Sequence, residues 1–244
     1  ERPVFHVGSI TRWVGQMISR MIQLSESAVT VEFGDTIDLR TNELVLAFTA
    51  AVDQAEIPGF VEAVPTYRSA TIYFDALLTD AVTIMNGLRA LRVNAAGAPA
   101  RPSLTHTIPV WYGGAAGPDL PDVARQARLT PMEACELHAS VTYRVFMLGF
   151  SPGFPYLGTV PAPLAIPRLS TPRKHVAAGS IGIAGTQTGI YPHASPGGWR
   201  IIGRTPVVLF NVHRPKTFLL EPGDQVRFVP IEEEEFKDLA GDPP

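Results

Sequence analysis

The chain has 244 residues, 45% apolar and 18% charged, with a formal net charge of −3. That composition excludes a disordered polar chain and leaves room for one large domain or two modest ones. Its 20 Lys and Arg residues are scattered rather than gathered into a basic run, and no apolar run reaches the roughly 18 residues that span a bilayer, so neither nucleic acid nor membrane is an expected partner.

The single Cys135 rules out an internal disulfide or a cysteine-rich zinc cluster and reads as a buried, inert thiol on a helix. Low cysteine use and the lack of a secretory apolar region point to the cytoplasm. Residues 1–20 show no sustained hydrophobic period, and Arg2, Arg12 and Arg20 interrupt their apolar residues. They read as a non-native or disordered extension, with a native start expected near Met17 or Met21.

An α+β domain is expected over 21–95. Val29, Val31 and Phe33 alternate with Thr30 and Glu32, a strand pattern ending at the turn Gly34-Asp35. Asp38 suits the N-cap of a helix with Leu44, Val45, Phe48 and Val52 at helical spacing, stopped at Ile57-Pro58-Gly59. Extended segments follow at 60–64 and 70–74, joined through Pro65-Thr66-Tyr67-Arg68. A second helix over 80–91 carries Ile84, Met85, Leu88 and Leu91 on one face.

Residues 96–105 are small, polar and Pro-rich, a linker composition. Beyond it, an all-β barrel domain is expected over 106–232, with a strand at 107–111 and two short helices within 120–139 broken at Leu129-Thr130-Pro131. Short apolar runs between Gly/Pro turns then fall at 143–148, 179–184, 199–202, 207–210 and 225–229. The acidic end, 233–244, reads as a solvated tail.

Several catalytic signatures fail on physical grounds. Gly149-Phe150-Ser151-Pro152-Gly153 has the spacing of a nucleophile elbow, but Pro152 has no N–H to serve as oxyanion donor, and a residue before Pro is pushed out of the elbow conformation. No lysine follows a glycine, so there is no Walker A loop, and there is no G-x-G-x-x-G. The histidines His6, His106, His138, His175, His193 and His213 are dispersed without ligand spacing, and no metal site is expected.

The stretch 146–205 is unusually rich in Gly and Pro and contains no Asp or Glu, yet carries Arg168, Arg173, Arg200 and Arg204, with Arg144 just before it. Stiff loops bearing guanidinium groups and rings suit an anionic ligand, because Arg presents a planar fork to carboxylate or phosphate. The same groups also suit tying a barrel's loops together. The candidate substrate-binding residues are Arg144, Phe154, Tyr156, Arg168, Arg173, Gln187, Tyr191, Ser195, Trp199 and Arg204. Catalytic acid/base groups are not identifiable. Arg173→Ala is expected to abolish ligand-dependent turnover while leaving the barrel folded.

These motifs resemble the allophanate hydrolase subunit 1 family, also known as the 5-oxoprolinase B subunits, which includes Kip-type kinase inhibitors. The resemblance rests on Val31-Glu32-Phe33-Gly34-Asp35, Val64-Pro65-Thr66-Tyr67-Arg68-Ser69 and Pro152-Gly153-Phe154-Pro155-Tyr156-Leu157-Gly158. It continues through Thr171-Pro172-Arg173, Gly179-Ser180-Ile181-Gly182-Ile183-Ala184-Gly185, Gln187-Thr188-Gly189-Ile190-Tyr191-Pro192 and Ser195-Pro196-Gly197-Gly198-Trp199. Ala177-Ala178 departs from the pattern by lacking a proline.

The resemblance implies an α+β N-terminal domain and a cyclophilin-like C-terminal β-barrel without prolyl isomerase activity. It further implies a subunit of an ATP-dependent amide or lactam hydrolase, either 5-oxoprolinase or allophanate hydrolase. Such a subunit works with a larger homologous subunit on a small anionic substrate, with ATP and Mg²⁺ used by the complex and the isolated chain inactive. Alternatives within the resemblance are a regulator that docks on a sensor histidine kinase and a carboxyltransferase component of a urea carboxylase system.

Overall fold

The computed structural model describes residues 11–13, 17–94 and 102–241. The chain divides into two compact units, Glu1–Pro102 and Ser103–Pro244. Residues 1–10 and 14–16 of the expected extension, 96–101 of the expected linker and 242–244 of the expected tail lie outside the described residues.

The first unit contains β1 (Thr11–Trp13), β2 (Arg20–Ser25), β3 (Ala28–Glu32), α1 (Leu39–Asp53), β4 (Phe60–Pro65), β5 (Ser69–Phe74), α2 (Ala81–Ala90) and β6 (Arg92–Asn94). Strands β2-β3-β5-β4 form an antiparallel four-stranded sheet, and β1 pairs with β6. Both helices begin where a carboxylate can accept an orphan backbone N–H: Asp38 accepts from Thr41 at 2.9 Å and Asp80 from Thr83 at 2.7 Å. Their apolar faces, Val45, Phe48 and Val52 on α1 and Ile84 and Leu88 on α2, join Val29, Val31, Ile72 and Phe74 in one core.

Within the stretch expected as an extension, Thr11–Trp13 forms β1, and Met17 and Ile18 pack against this core. The next strand, β2, has no alternating signature because most of its side chains face solvent.

The second unit contains β7 (Thr105–Tyr112), α3 (Leu120–Ala127), α4 (Pro131–Ala139), β8 (Thr142–Leu148), β9 (Pro155–Leu157) and a 3₁₀ turn at Ala162–Leu164. Then come β10 (Arg173–Val176), β11 (Ser180–Ala184), β12 (Gln187–Ile190), β13 (Ser195–Gly197), β14 (Arg200–Arg204), β15 (Gln225–Ile231) and α5 (Glu233–Ala240). Seven strands close into a barrel in the order β11-β12-β9-β8-β15-β7-β14. The β7–β15 pair is parallel and the others are antiparallel, so the barrel is mixed. Strands β10 and β13 pair separately as a ribbon beside it.

The barrel core is aliphatic: Ile108, Val110, Val145, Leu157, Ile181, Ile183, Ile190 and Val226 are almost wholly buried. One histidine sits among them. His138 is fully buried at the end of α4 and stacks on Phe228 at 4.9 Å. The Thr188 hydroxyl donates to the Gly182 carbonyl at 3.0 Å, so it accepts from Nε2–H of His138 at 3.0 Å. That leaves Nδ1 to accept from the Tyr112 hydroxyl at 2.8 Å. Burial lowers the His138 pKa to about 3, so the imidazole stays neutral in the core.

The run 207–210 is not a strand. Leu209 and Leu220 are buried against the barrel, and pairing is limited to a single bridge between Phe210 and Phe218. The acidic end is a helix rather than a simple tail: Glu233, Glu234 and Glu235 are exposed, while Phe236 is buried against Trp111 with ring centres 5.6 Å apart. Cys135 is half-buried on α4, and burial raises its pKa to about 11.

Candidate functional site

The Gly/Pro-rich loops of the barrel unit build an aromatic cavity of about 280 Å³. Its hub is Phe154, only 1% exposed, just before β9. Tyr191, just after β12, and Trp199, just before β14, meet Phe154 edge-on at 5.2 and 5.4 Å. Tyr156 on β9 lies 5.0 Å from Phe154 and 5.9 Å from Trp199. Each such pair contributes about 0.5–1.5 kcal/mol beyond area burial, so the rings hold one another in place. Gly197 is required here, since a β-carbon at that position would collide with the Tyr191 hydroxyl.

One cation reaches this cavity. The Arg168 guanidinium lies 5.9 Å above the Trp199 ring, and the backbone N–H of Leu169 donates to Gly198 O at 2.8 Å, pinning the loop that carries it. Arg168 is exposed, and among the described residues no carboxylate pairs with it. Burial raises the phenol pKa of both Tyr156 and Tyr191, with Arg168 pulling in the opposite direction on each. Both phenols are therefore protonated at neutral pH. No carboxylate or imidazole is among the lining residues, so the cavity can bind a flat anionic molecule but holds no acid/base pair of its own.

Phe150 stands at the cavity as an exposed ring with a positive φ of 66°, one of two non-glycine residues in that region among those described. Its ring meets Phe154 at 5.5 Å. The loop that strains it is fixed from behind: His193 Nε2 donates to Pro152 O at 3.0 Å, and Gly153, at φ 80°, packs on Phe210. The strain at Gly149-Phe150-Ser151-Pro152-Gly153 thus falls on the phenylalanine, not on the serine that an elbow would use.

A second, cationic cavity of about 290 Å³ is lined by Trp111, Arg173, His175, Ser180 and Arg204, among others. Here Arg173 already has a partner. Its Nη1 and Nη2 grip both oxygens of Asp119 at 2.9 and 2.8 Å, and Asp119, 5% exposed, also accepts from the Ile201 backbone N–H. The carboxylate missing from 146–205 is supplied by a residue before it. Arg173→Ala would leave Asp119 buried without this partner, so the variant is expected to cost the barrel stability as well as any ligand contact.

Of the ten residues singled out from sequence, the structure gathers Phe154, Tyr156, Arg168, Tyr191 and Trp199 in the aromatic cavity, and Arg173 and Arg204 in the cationic one. Arg144 on β8, Gln187 at the β11–β12 hairpin and Ser195 on the β10–β13 ribbon line neither. Sequence reasoning missed Phe150, Asp119, Trp111, His175 and Ser180. Phe150 was legible as an aromatic set between glycines in a stiff loop, whereas Asp119 gave no local signal. Among the described residues, no group of three His, Cys, Asp or Glu side chains could hold a metal ion, and no helix is long and apolar enough to cross a membrane.

Residues 19–220 match the family model described as carboxyltransferase domain, subdomain C and D. The chain is 38% identical over 224 residues to the 5-oxoprolinase B subunit of Bacillus subtilis (strain 168), covering 88% of this chain and 93% of that protein. It is 42% identical over 218 residues to the 5-oxoprolinase B subunit of Escherichia coli O157:H7, covering 88% and 97%. The solved structure of TTHA0988 superposes with a TM-score of 0.78 at 35% identity over 90% of this chain, which spans 42% of that longer one. With most of its length matched by both kinds of comparison, the chain belongs to the carboxyltransferase subdomain C and D family, the family of the 5-oxoprolinase B subunits.

Proposed function

We propose that the chain is the barrel-bearing component of an ATP-dependent 5-oxoprolinase, which opens 5-oxoproline to glutamate together with a larger homologous subunit, and that the aromatic cavity receives the lactam. The observation that carries this reading is Arg168 poised over Trp199 in a ring-lined cavity without a carboxylate. The relatives that are 5-oxoprolinase B subunits support the reaction, and the longer TTHA0988 chain, of which this one matches 42%, supports a companion polypeptide.

A five-membered lactam with one carboxylate matches the cavity's chemistry. Its flat amide packs between Trp199 and Tyr156, its carboxylate pairs with Arg168, and the Tyr191 phenol donates to one of its oxygens. Phe150 covers the opening and keeps water from the bound ring. ATP supplies the phosphoryl group that activates the unreactive lactam oxygen; lactam, ATP and two waters enter, and glutamate, ADP and phosphate leave. The described residues do not fit a resident Mg²⁺, so in this reading the larger companion provides the magnesium ligands and the acid/base groups.

The test is reconstitution. The chain co-expressed with its larger homologous subunit is expected to hydrolyse ATP in response to 5-oxoproline. Arg168→Gln should raise the KM for 5-oxoproline by about thirtyfold or more, the loss of a charge-assisted pair costing about 2 kcal/mol or more, with the melting temperature unchanged. An unaltered KM removes Arg168 from the site. Turnover with urea or allophanate in place of 5-oxoproline would replace the lactam reading, and inhibition of a histidine kinase without any turnover would favour a regulator.

A further inference from the structure

The two guanidinium groups at the cationic cavity differ in what they have left to give. Arg173 is spent on Asp119. Arg204, on β14, donates its Nε to Ala178 O at 2.8 Å and sits 5.6 Å over the Phe236 ring, which fixes its plane. Its Nη1 and Nη2 have no partner among the described residues. Ser180 on β11 is 3% exposed and lines the same cavity, and its hydroxyl makes no hydrogen bond to the described residues. His175, on β10, adds an imidazole at the exposed rim, and Trp111 on β7 adds a flat wall. No Asp or Glu is among the lining residues.

These donors line an open concavity and have no acceptor among the described residues, so an anion entering it meets N–H and O–H groups that the protein has not used. The donors come from three strands around one concavity rather than from a single planar fork. A tetrahedral oxyanion, with several oxygens in different directions, meets them better than a flat carboxylate does. We propose that the cavity bounded by Trp111, His175, Ser180 and Arg204 is a phosphoryl-anion site, taking a phosphate group of a nucleotide or inorganic phosphate. The ATP-dependent lactam reaction bears only on where that anion comes from; the site itself stands on its donors. It shares no lining residue with the aromatic cavity, so the two can be broken separately.

The experiment uses the full chain, titrated with inorganic phosphate and with AMP-PNP by isothermal calorimetry, with ³¹P line width as a second readout. Saturable binding of at least one probe is expected. Arg204→Gln should weaken it about tenfold or more, and Ser180→Ala and His175→Ala about threefold each. Arg125→Gln removes the same charge from an ion pair whose Arg is 79% exposed and should leave affinity unchanged.

Because Arg204 also braces Ala178 and Phe236, His175→Ala at the exposed rim keeps the test valid if Arg204→Gln does not fold. Tighter binding of AMP-PNP than of phosphate identifies a nucleotide, and equal or weaker binding identifies the phosphate ion. Absence of saturable binding to both probes at millimolar concentration, or equal affinity in the wild type and the His175 and Ser180 variants, overturns the proposal. Phosphate binding with no 5-oxoproline-dependent turnover in the complex would sink the lactam reading and leave this site standing.

Discussion

The barrel interior and the two cavities treat polar groups in opposite ways. Inside, the chain Tyr112–His138–Thr188–Gly182 is closed: each donor has its acceptor, and the last hydroxyl ends on a backbone carbonyl. At the cavities the polar groups are held in place but not consumed. Arg168 is braced by a ring, and Arg204 by one hydrogen bond and a ring, with guanidinium N–H groups to spare. Closed networks serve the fold and open ones leave donors available to a guest, so the bonding state of a side chain tells more about its role than its residue type does. Arg173 is the instructive exception, because it lines a cavity and is nonetheless bonded like an interior residue.

Breaking that exception should give the largest effect. Arg173→Ala strands Asp119, which is 5% exposed, and is expected to destabilise the barrel by about 3 kcal/mol. At this size a loss of that order lowers the melting temperature by about 10 °C. Arg173→Lys should recover part of the loss, since it keeps the charge but not the fork. A melting temperature unchanged in Arg173→Ala would show that the pair is dispensable to the fold and return Arg173 to the ligand contacts.

The unforeseen pairing of Arg173 with Asp119 shows what the sequence could and could not convey. Local signals were legible: Asp38 and Asp80 at helix starts, the Val29/Val31 alternation, and the Thr130-Pro131 break, which the structure realises as a capping box between Thr130 and Glu133. Strands β9, β12 and β13 were not legible, because Pro155, Gly189 and Pro196 erase the alternation that marks a strand, and barrel closure rather than propensity holds β9 and β12. The candidate site was half legible. Rings and guanidinium groups stood out by composition, but their division between two cavities depends on pairing at a distance, and Asp119 lies 54 residues before the Arg173 it neutralises. An absence of carboxylates within one segment says nothing about those that the fold brings in from another.

The interior itself can be tested with acid. The folded state depresses the His138 pKa from 6.5 to about 3, so between those values the unfolded chain binds the extra proton. Its contribution is therefore fully present above pH 6.5 and is lost as the pH falls, amounting to about 2 kcal/mol by pH 5. Urea unfolding at pH 7, 6 and 5 should show this decline, and His138→Gln should be less stable at pH 7 but flat across the window. A wild type with constant stability from pH 7 to 5 would mean that the imidazole reaches water or a counter-charge in the folded state. Asp38, Asp80 and Glu133 have pKa values lowered mainly by hydrogen bonds from Thr41, Thr83 and Thr130, and their contributions fade only at lower pH, so they do not blur the measurement.

The smallest effect separates strain from packing at the aromatic cavity. Phe150 holds φ at 66° while its side chain is 65% exposed, so the fold bears a left-handed backbone cost of about 1–2 kcal/mol at a position that buries little. Phe150→Gly removes that cost but adds chain entropy to the unfolded state, and the two leave a net stabilisation of about 0.5 kcal/mol or less. Phe150→Ala keeps the strained backbone and should lose stability slightly with the Phe154 contact. If the ring covers a bound lactam, both variants weaken 5-oxoproline affinity alike even though their stabilities move in opposite directions. A glycine variant that is less stable than wild type and binds equally well would make Phe150 a packing residue, and the comparison between closed interior and open cavity would then have to exclude it.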